Sequence, residues 1–164
     1  MCGVRVLGID PGLRITGYGC VEDAAGATHA LVEAGVFRLG ATRTAGIPDR
    51  LAELDEDLRA LLVRVRPDAV AVESLFAHYA HPATAIAMAH ARGVILLNIR
   101  RAGLRLVELR PNAVKKFIAG HGHAGKGQVQ AAVRGALRLA AAPSPPDVAD
   151  ALAIALCAAW RLRG

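Results

Sequence analysis

Apolar positions along the chain follow two different periods. Residues 4–9 form a short apolar run stopped by Asp10-Pro11-Gly12, the pattern of a strand followed by a turn. Residues 15–22 and 29–39 read as two further strands, and three strands in succession predict a meander. The period then changes. Leu51, Leu54, Leu58, Leu61, Leu62 and Val65 recur at steps of three and four, which predicts a helix over 48–65 with Pro48 near its start. Pro67-Asp68 breaks it, and residues 69–72 return to a strand that ends at Glu73. Residues 83–101 are alanine-rich and helical, and 104–109 form a fifth strand. Helices are expected over 112–119, 128–139 and 146–162, the last two separated by Ala-Pro-Ser-Pro-Pro. Strands in a row, then strands alternating with helices, predict an α/β fold. Its five-stranded mixed sheet begins with an antiparallel meander and is flanked by helices. No repeat or long linker interrupts the 164 residues, so one domain over 1–164 is expected.

Composition narrows the class. With 54% hydrophobic and 21% charged residues, the chain can bury a core and is not disordered. The longest stretch without Asp, Glu, Lys or Arg, residues 74–91, contains three His and a Pro, so no membrane span is expected. Asp10 and Pro11 arrive before a signal-peptide core could form, so export is not expected either. Cys2, Cys20 and Cys157 are few, odd in number and far apart, which suits a reducing cytoplasm.

Charge is unevenly spread. The net +6 hides a segment, residues 74–146, where ten Lys or Arg face a single acid, Glu108, a local excess of +9. Five acids, Asp49, Glu53, Asp55, Glu56 and Asp57, crowd the first helix. A basic half of this kind expects a polyanion, most often nucleic acid; the plainer reading is a solvated basic surface.

Four acids stand in apolar company. Asp10 ends Val-Leu-Gly-Ile and Glu73 ends Ala-Val-Ala-Val, while Asp147 and Asp150 open a helix that continues Ala-Leu-Ala-Ile-Ala-Leu. Carboxylates at the ends of buried strands are costly unless a cation pairs with them. Strand ends are also where ligands gather in α/β sheets. Three residues apart, Asp147 and Asp150 differ by about 60° around a helix and face one way. Four hard oxygen donors suit Mg²⁺ or Mn²⁺ better than Zn²⁺. Each acid also has a plainer role. Asp-Pro-Gly is a good turn, Glu73 could be a polar strand end, and Asp147 could favour a helix N-terminus.

Two tempting motifs fail. Residues 120–127, Gly-His-Gly-His-Ala-Gly-Lys-Gly, nearly spell a phosphate loop, but Gly replaces the Ser or Thr and a helix precedes it instead of a strand. Lys126 is retained as a phosphate contact. His78 with His81, or His121 with His123, could suggest a metal cluster, but with Gly or Pro alongside and no Cys nearby they read as loop histidines.

Five segments together resemble one family. These are Leu-Gly-Ile-Asp-Pro-Gly-Leu-Arg-Ile-Thr-Gly-Tyr-Gly at 7–19, Ala-Val-Glu-Ser-Leu-Phe at 71–76, Ala-Arg-Gly at 91–93, Gly-Lys-Gly-Gln-Val-Gln at 125–130 and Asp-Val-Ala-Asp-Ala-Leu-Ala-Ile-Ala at 147–155. In order and spacing they resemble the RuvC family, bacterial Holliday-junction resolvases of the ribonuclease-H-like superfamily. The resemblance implies a ribonuclease-H-like fold and a cytoplasmic homodimer that nicks four-way junction DNA symmetrically in recombination and repair. It also implies partnership with the RuvA–RuvB branch-migration complex. Asp10, Glu73, Asp147 and Asp150 match the metal-binding carboxylates. Lys115 and Lys126 match basic residues needed for catalysis or DNA contact, with Lys116 and Arg14 as further expected DNA contacts. Phe76 matches an aromatic that stacks at the opened crossover. The segment up to Arg92 is one residue longer than the usual pattern, which leaves Tyr79 as the alternative wedge.

On that resemblance, two Mg²⁺ about 4 Å apart, or Mn²⁺ in their place, would activate water and hold the leaving 3′ oxygen. Asp10 is expected to bridge them, with Glu73 on one and the Asp147–Asp150 pair on the other, and Lys126 offsetting phosphate charge. The dimer surface is expected on the alanine-rich helix, where a large charge at Ala87 or Ala91 should give a monomer. Phe76→Ala should slow cutting of an intact junction more than one with an unpaired centre. Two rivals remain. Asp10, Gly12 and Gly17 also fit the phosphate loop of actin–hexokinase-type kinases, although that fold needs two such domains. A non-catalytic four-way-junction binder is the other.

Overall fold

Both faces of the central strands are covered, which is why those strands read as unbroken apolar runs. The computed structural model describes residues 3–24, 28–40, 44–74 and 82–163. In chain order the elements are β1 (Arg5–Asp10), β2 (Ile15–Ala24), β3 (Thr28–Arg38), α1 (Ile47–Val65), β4 (Ala69–Glu73) and α2 (Pro82–Arg101). β5 (Arg105–Leu109), α3 (Pro111–Ala119), α4 (Lys126–Ala136) and α5 (Pro146–Arg163) follow. The sheet order is β3-β2-β1-β4-β5. β1, β2 and β3 pair antiparallel, and β4 and β5 continue the sheet in parallel with β1, the mixed sheet expected from the sequence.

Alternation along β1 divides the interior in two. Leu7 and Ile9 join Val70 and Val72 in a core with Leu54, Leu58, Leu61 and Ile95 from α1 and α2. Val6 and Ala71 face the other way, into a core with Val114, Val129, Val133 and the buried α5 residues. α5 is buried along Ala151–Ala159 because the sheet lies on one side of it and α3 and α4 on the other. Two glycines set how close it comes. A Cβ on Gly8 would stand 2.1 Å from the Ala151 carbonyl oxygen, and one on Gly17 would stand 2.2 Å from that of Asp147. Only glycine at these strand positions lets α5 rest on the sheet backbone.

Two helices differ from expectation. α4 starts at Lys126, two residues early, because the Gly125 N–H donates to Gln128 Oε1 at 2.9 Å and closes the helix start there. It ends at Ala136, and Arg138 then takes a left-handed φ of 52°. α2 is long and apolar enough to cross a membrane by length and composition, which counting charge-free residues had excluded. The core helix of a globular protein meets the same measure, and Arg92 falls inside the helix. Its Ala91, Ile95 and Ile99 pack in the core, and Asn98 Nδ2 donates to Asp55 Oδ1 of α1 at 2.8 Å. Ile86 and Leu97 remain exposed on its outer side. Ala91 is fully buried, whereas Ala87 is half-buried and borders the open depression beside Asp10.

Candidate active site

Parallel pairing brings two strand ends to one place. Ile9 of β1 is level with Val72 of β4, so Asp10 and Glu73, the next residue on each, emerge at the same edge of the sheet. The turn after Asp10 is pinned by a buried hydroxyl. Thr16 Oγ1 donates to the Gly12 carbonyl at 2.6 Å and accepts the Gly12 N–H at 3.2 Å. Beyond Glu73, the Ser74 N–H donates to the Leu109 carbonyl at 2.8 Å, which ties the end of β4 to β5. Arg92 approaches from α2, its Nε donating to the Glu73 carbonyl at 3.2 Å while its other arm pairs with Glu108.

α5 supplies the remaining carboxylates. Asp10, Glu73, Asp150 and Lys115 line one cavity of about 170 Å³, floored by Val114, Val129 and other apolar side chains. Asp10 also borders an open depression shared with Asp147, Lys126 and Arg14. Asp10 is therefore common to both, with Asp150 on one side and Asp147 on the other. Lys116 is exposed and lines neither space. His121 and His123 are likewise exposed. Phe76 and Tyr79, with His78 and His81, lie outside the described residues.

The acids are under electrostatic pressure. Burial pushes Asp10 up to about 8, and Asp150, Glu73 and Asp147 add to the rise while Lys126 opposes it. Glu73 is raised by burial and by Asp150, against the pull of Lys115. Asp150 is raised by burial and Asp147, with Lys126 and Lys115 lowering it. The two lysines leave these shifts only partly offset. Among the described residues no three His, Cys, Asp or Glu side chains form a ready-made cage for an ion. The carboxylates nonetheless present hard oxygen donors from three elements, and the repulsion among them is what a divalent cation relieves. The donor set fits such an ion.

The family model for the crossover junction endodeoxyribonuclease RuvC matches residues 6–158. The chain belongs to the RuvC family. The RuvC of Moorella thermoacetica is 46% identical over 96% of this chain and 95% of its own length. That of Rhodopirellula baltica is 45% identical, over 93% and 84%. The structure of Thermus thermophilus RuvC in complex with Holliday junction substrate superposes with a TM-score of 0.88 at 36% identity, covering 98% of this chain and 95% of that one. The same species' RuvC on its own gives 0.85. The ribonuclease-H-like arrangement expected from the sequence is thus the fold of this RuvC-family chain.

Sequence reasoning did not find every residue that shapes the site. Arg92 was visible as part of Ala-Arg-Gly, but nothing local signals that it reaches the Glu73 carbonyl 19 residues away. Thr16 read as one more strand residue. Its only available signal was a polar side chain placed four residues after a turn glycine.

Proposed function

We infer that this chain is a crossover junction endodeoxyribonuclease, which hydrolyses phosphodiester bonds in four-way DNA junctions during recombination and repair. One observation carries the reading. In a RuvC-family chain, the charges of Glu73, Asp147 and Asp150 converge on Asp10 at the end of the sheet, beside Lys115 and Lys126. Cleavage depends on a divalent metal, which we assign as Mg²⁺, two ions per subunit, with Mn²⁺ able to replace it. Asp10, Glu73, Asp147 and Asp150 would hold the metal. Once bound, it supplies charge neutralisation at the scissile phosphate and a more acidic attacking water.

The chain's own residues do the rest. Asp10, shared by the two spaces, links the Glu73–Asp150 side to the Asp147 side. Lys126 faces Asp10 and Asp147, where its ammonium offsets charge developing on the phosphate, and Lys115 does the same on the Glu73 side. Arg92 holds the end of β4 and with it the carboxylate of Glu73. Arg14 and the exposed Lys116 would contact DNA phosphates, which fix register without reading sequence. Phe76 or Tyr79 would stack at the crossover. One nuclease domain spans 1–164, and two copies acting as a homodimer account for paired nicks. The RuvA–RuvB complex would deliver the junction, in the cytoplasm.

The test is direct. Purified protein, Mg²⁺ and a synthetic four-way junction should give paired, symmetric nicks. A shifted junction without nicks would make the chain a binder, and ATP turnover would make it a kinase.

A further inference from the structure

The far end of α5 carries the chain's single tryptophan, in a sequence with only six aromatic residues. Trp160 is 60% exposed, and its neighbour Phe117 of α3 is 37% exposed. Their ring centroids lie 5.6 Å apart and the rings tilt by 41°. Two large aromatics left together in water, away from the catalytic carboxylates, mark an interaction surface. They border an open depression of about 860 Å³ with Arg138, Arg161 and Arg163 around it. Arg163 is engaged by Asp23, whereas among the described residues Arg138 and Arg161 have no carboxylate partner.

This surface extends toward the active site along α4. A second depression runs along the outer face of α4 past Gly127, Gln130 and Arg134 and shares Gly135 and Arg138 with the first. It begins next to Lys126, which borders Asp10 and Asp147. A Cβ at Gly127 or Gly135 would meet nothing within 4 Å, so the α4 backbone is open to close approach there. From Lys126 to Ala136 the helix rises about 15 Å, the length of about four or five nucleotides of a DNA strand.

We propose that Phe117, Trp160 and Arg161 form a stacking subsite for an unpaired nucleotide, on a DNA strand that runs from the carboxylates along the outer face of α4. The proposal rests on the nuclease reading above. Every base has a π-face to stack on an indole, and an arginine beside it serves the adjoining phosphate or stacks in turn. An acidic protein segment would satisfy the arginines too. It would not account for Arg134 and Arg138, which lead from there back toward Lys126 within the segment that carries the +9 excess.

Trp160, having no other tryptophan to mask it, is its own reporter. In chelator, an oligothymidylate of about twelve nucleotides should quench Trp160 emission, and added salt should reverse the effect. Trp160→Leu and Arg161→Glu should each weaken binding of the labelled oligonucleotide about tenfold by fluorescence anisotropy, the loss of one stacked base. Both variants should melt like wild type and still nick a fully paired junction in Mg²⁺, since neither substitution touches the carboxylates. Unchanged oligonucleotide binding in both variants, with junction cutting intact, would overturn the subsite alone. Quenching by poly-glutamate and not by the oligonucleotide would also overturn it, in favour of a protein-docking surface. Failure of the wild type to cut the junction would overturn the nuclease reading instead.

Discussion

Burial and three neighbouring carboxylates oppose a negative charge on Asp10, and that opposition makes its role testable. Asp10→Asn preserves shape while removing one like charge and one metal donor. Junction binding should survive in gel shift, cleavage in Mg²⁺ should fall about a hundredfold or more, and the metal-free protein should melt higher than wild type near neutral pH. Normal cleavage would return Asp10 to the role of a turn residue before Pro11. Its candidacy was legible in the sequence because a carboxylate directly after Val-Leu-Gly-Ile is costly wherever that strand is buried. The same logic found Glu73, Asp147 and Asp150. It could not find Arg92 or Thr16, whose contributions are hydrogen bonds to backbone carbonyls that no residue pattern announces.

At the scale of elements, helix and strand periods were readable throughout, and the differences fall at helix ends and on helix faces. α2 is the clearest case, because an alanine-rich helix with apolar residues on several sides does not reveal which side is inward. Ala91 is fully buried against α1 and the sheet, while Ile86 is 59% exposed. If α2's outer face joins two copies, Ile86→Asp should yield a monomer by sedimentation, with stability within about 0.5 kcal/mol of wild type. Ala91→Asp should instead destabilise the fold by about 4 kcal/mol or more, since it buries an unpaired charge. A dimeric Ile86→Asp protein would remove that face from the interface.

For the molecule as a whole, the acid cluster sets how stability responds to pH. Asp10 titrates at about 8, far above the ordinary aspartate near 4, and Glu73 and Asp150 are raised as well. Between those values the folded chain holds protons that the unfolded chain has already released, so stability falls as pH rises. The melting temperature of metal-free protein should therefore drop from about pH 5 to about pH 8, and Mg²⁺ should restore more of it at the upper end. Asp10→Asn should flatten both responses; a wild-type profile as flat as the variant's would refute the cluster's role. The sequence by itself determined the strands and helices, the mixed sheet and the family, and it marked four candidate carboxylates, because periodicity, turn residues and the cost of charge beside apolar runs are local. Tertiary structure alone decided that Gly17 admits the backbone of Asp147, that Asp10 meets Asp150, that Ala91 faces inward and that Phe117 joins Trp160 in solvent. These outcomes depend on packing between separate elements, in the first two cases more than a hundred residues apart, and hydrophobic periodicity carries no information about which distant residues meet.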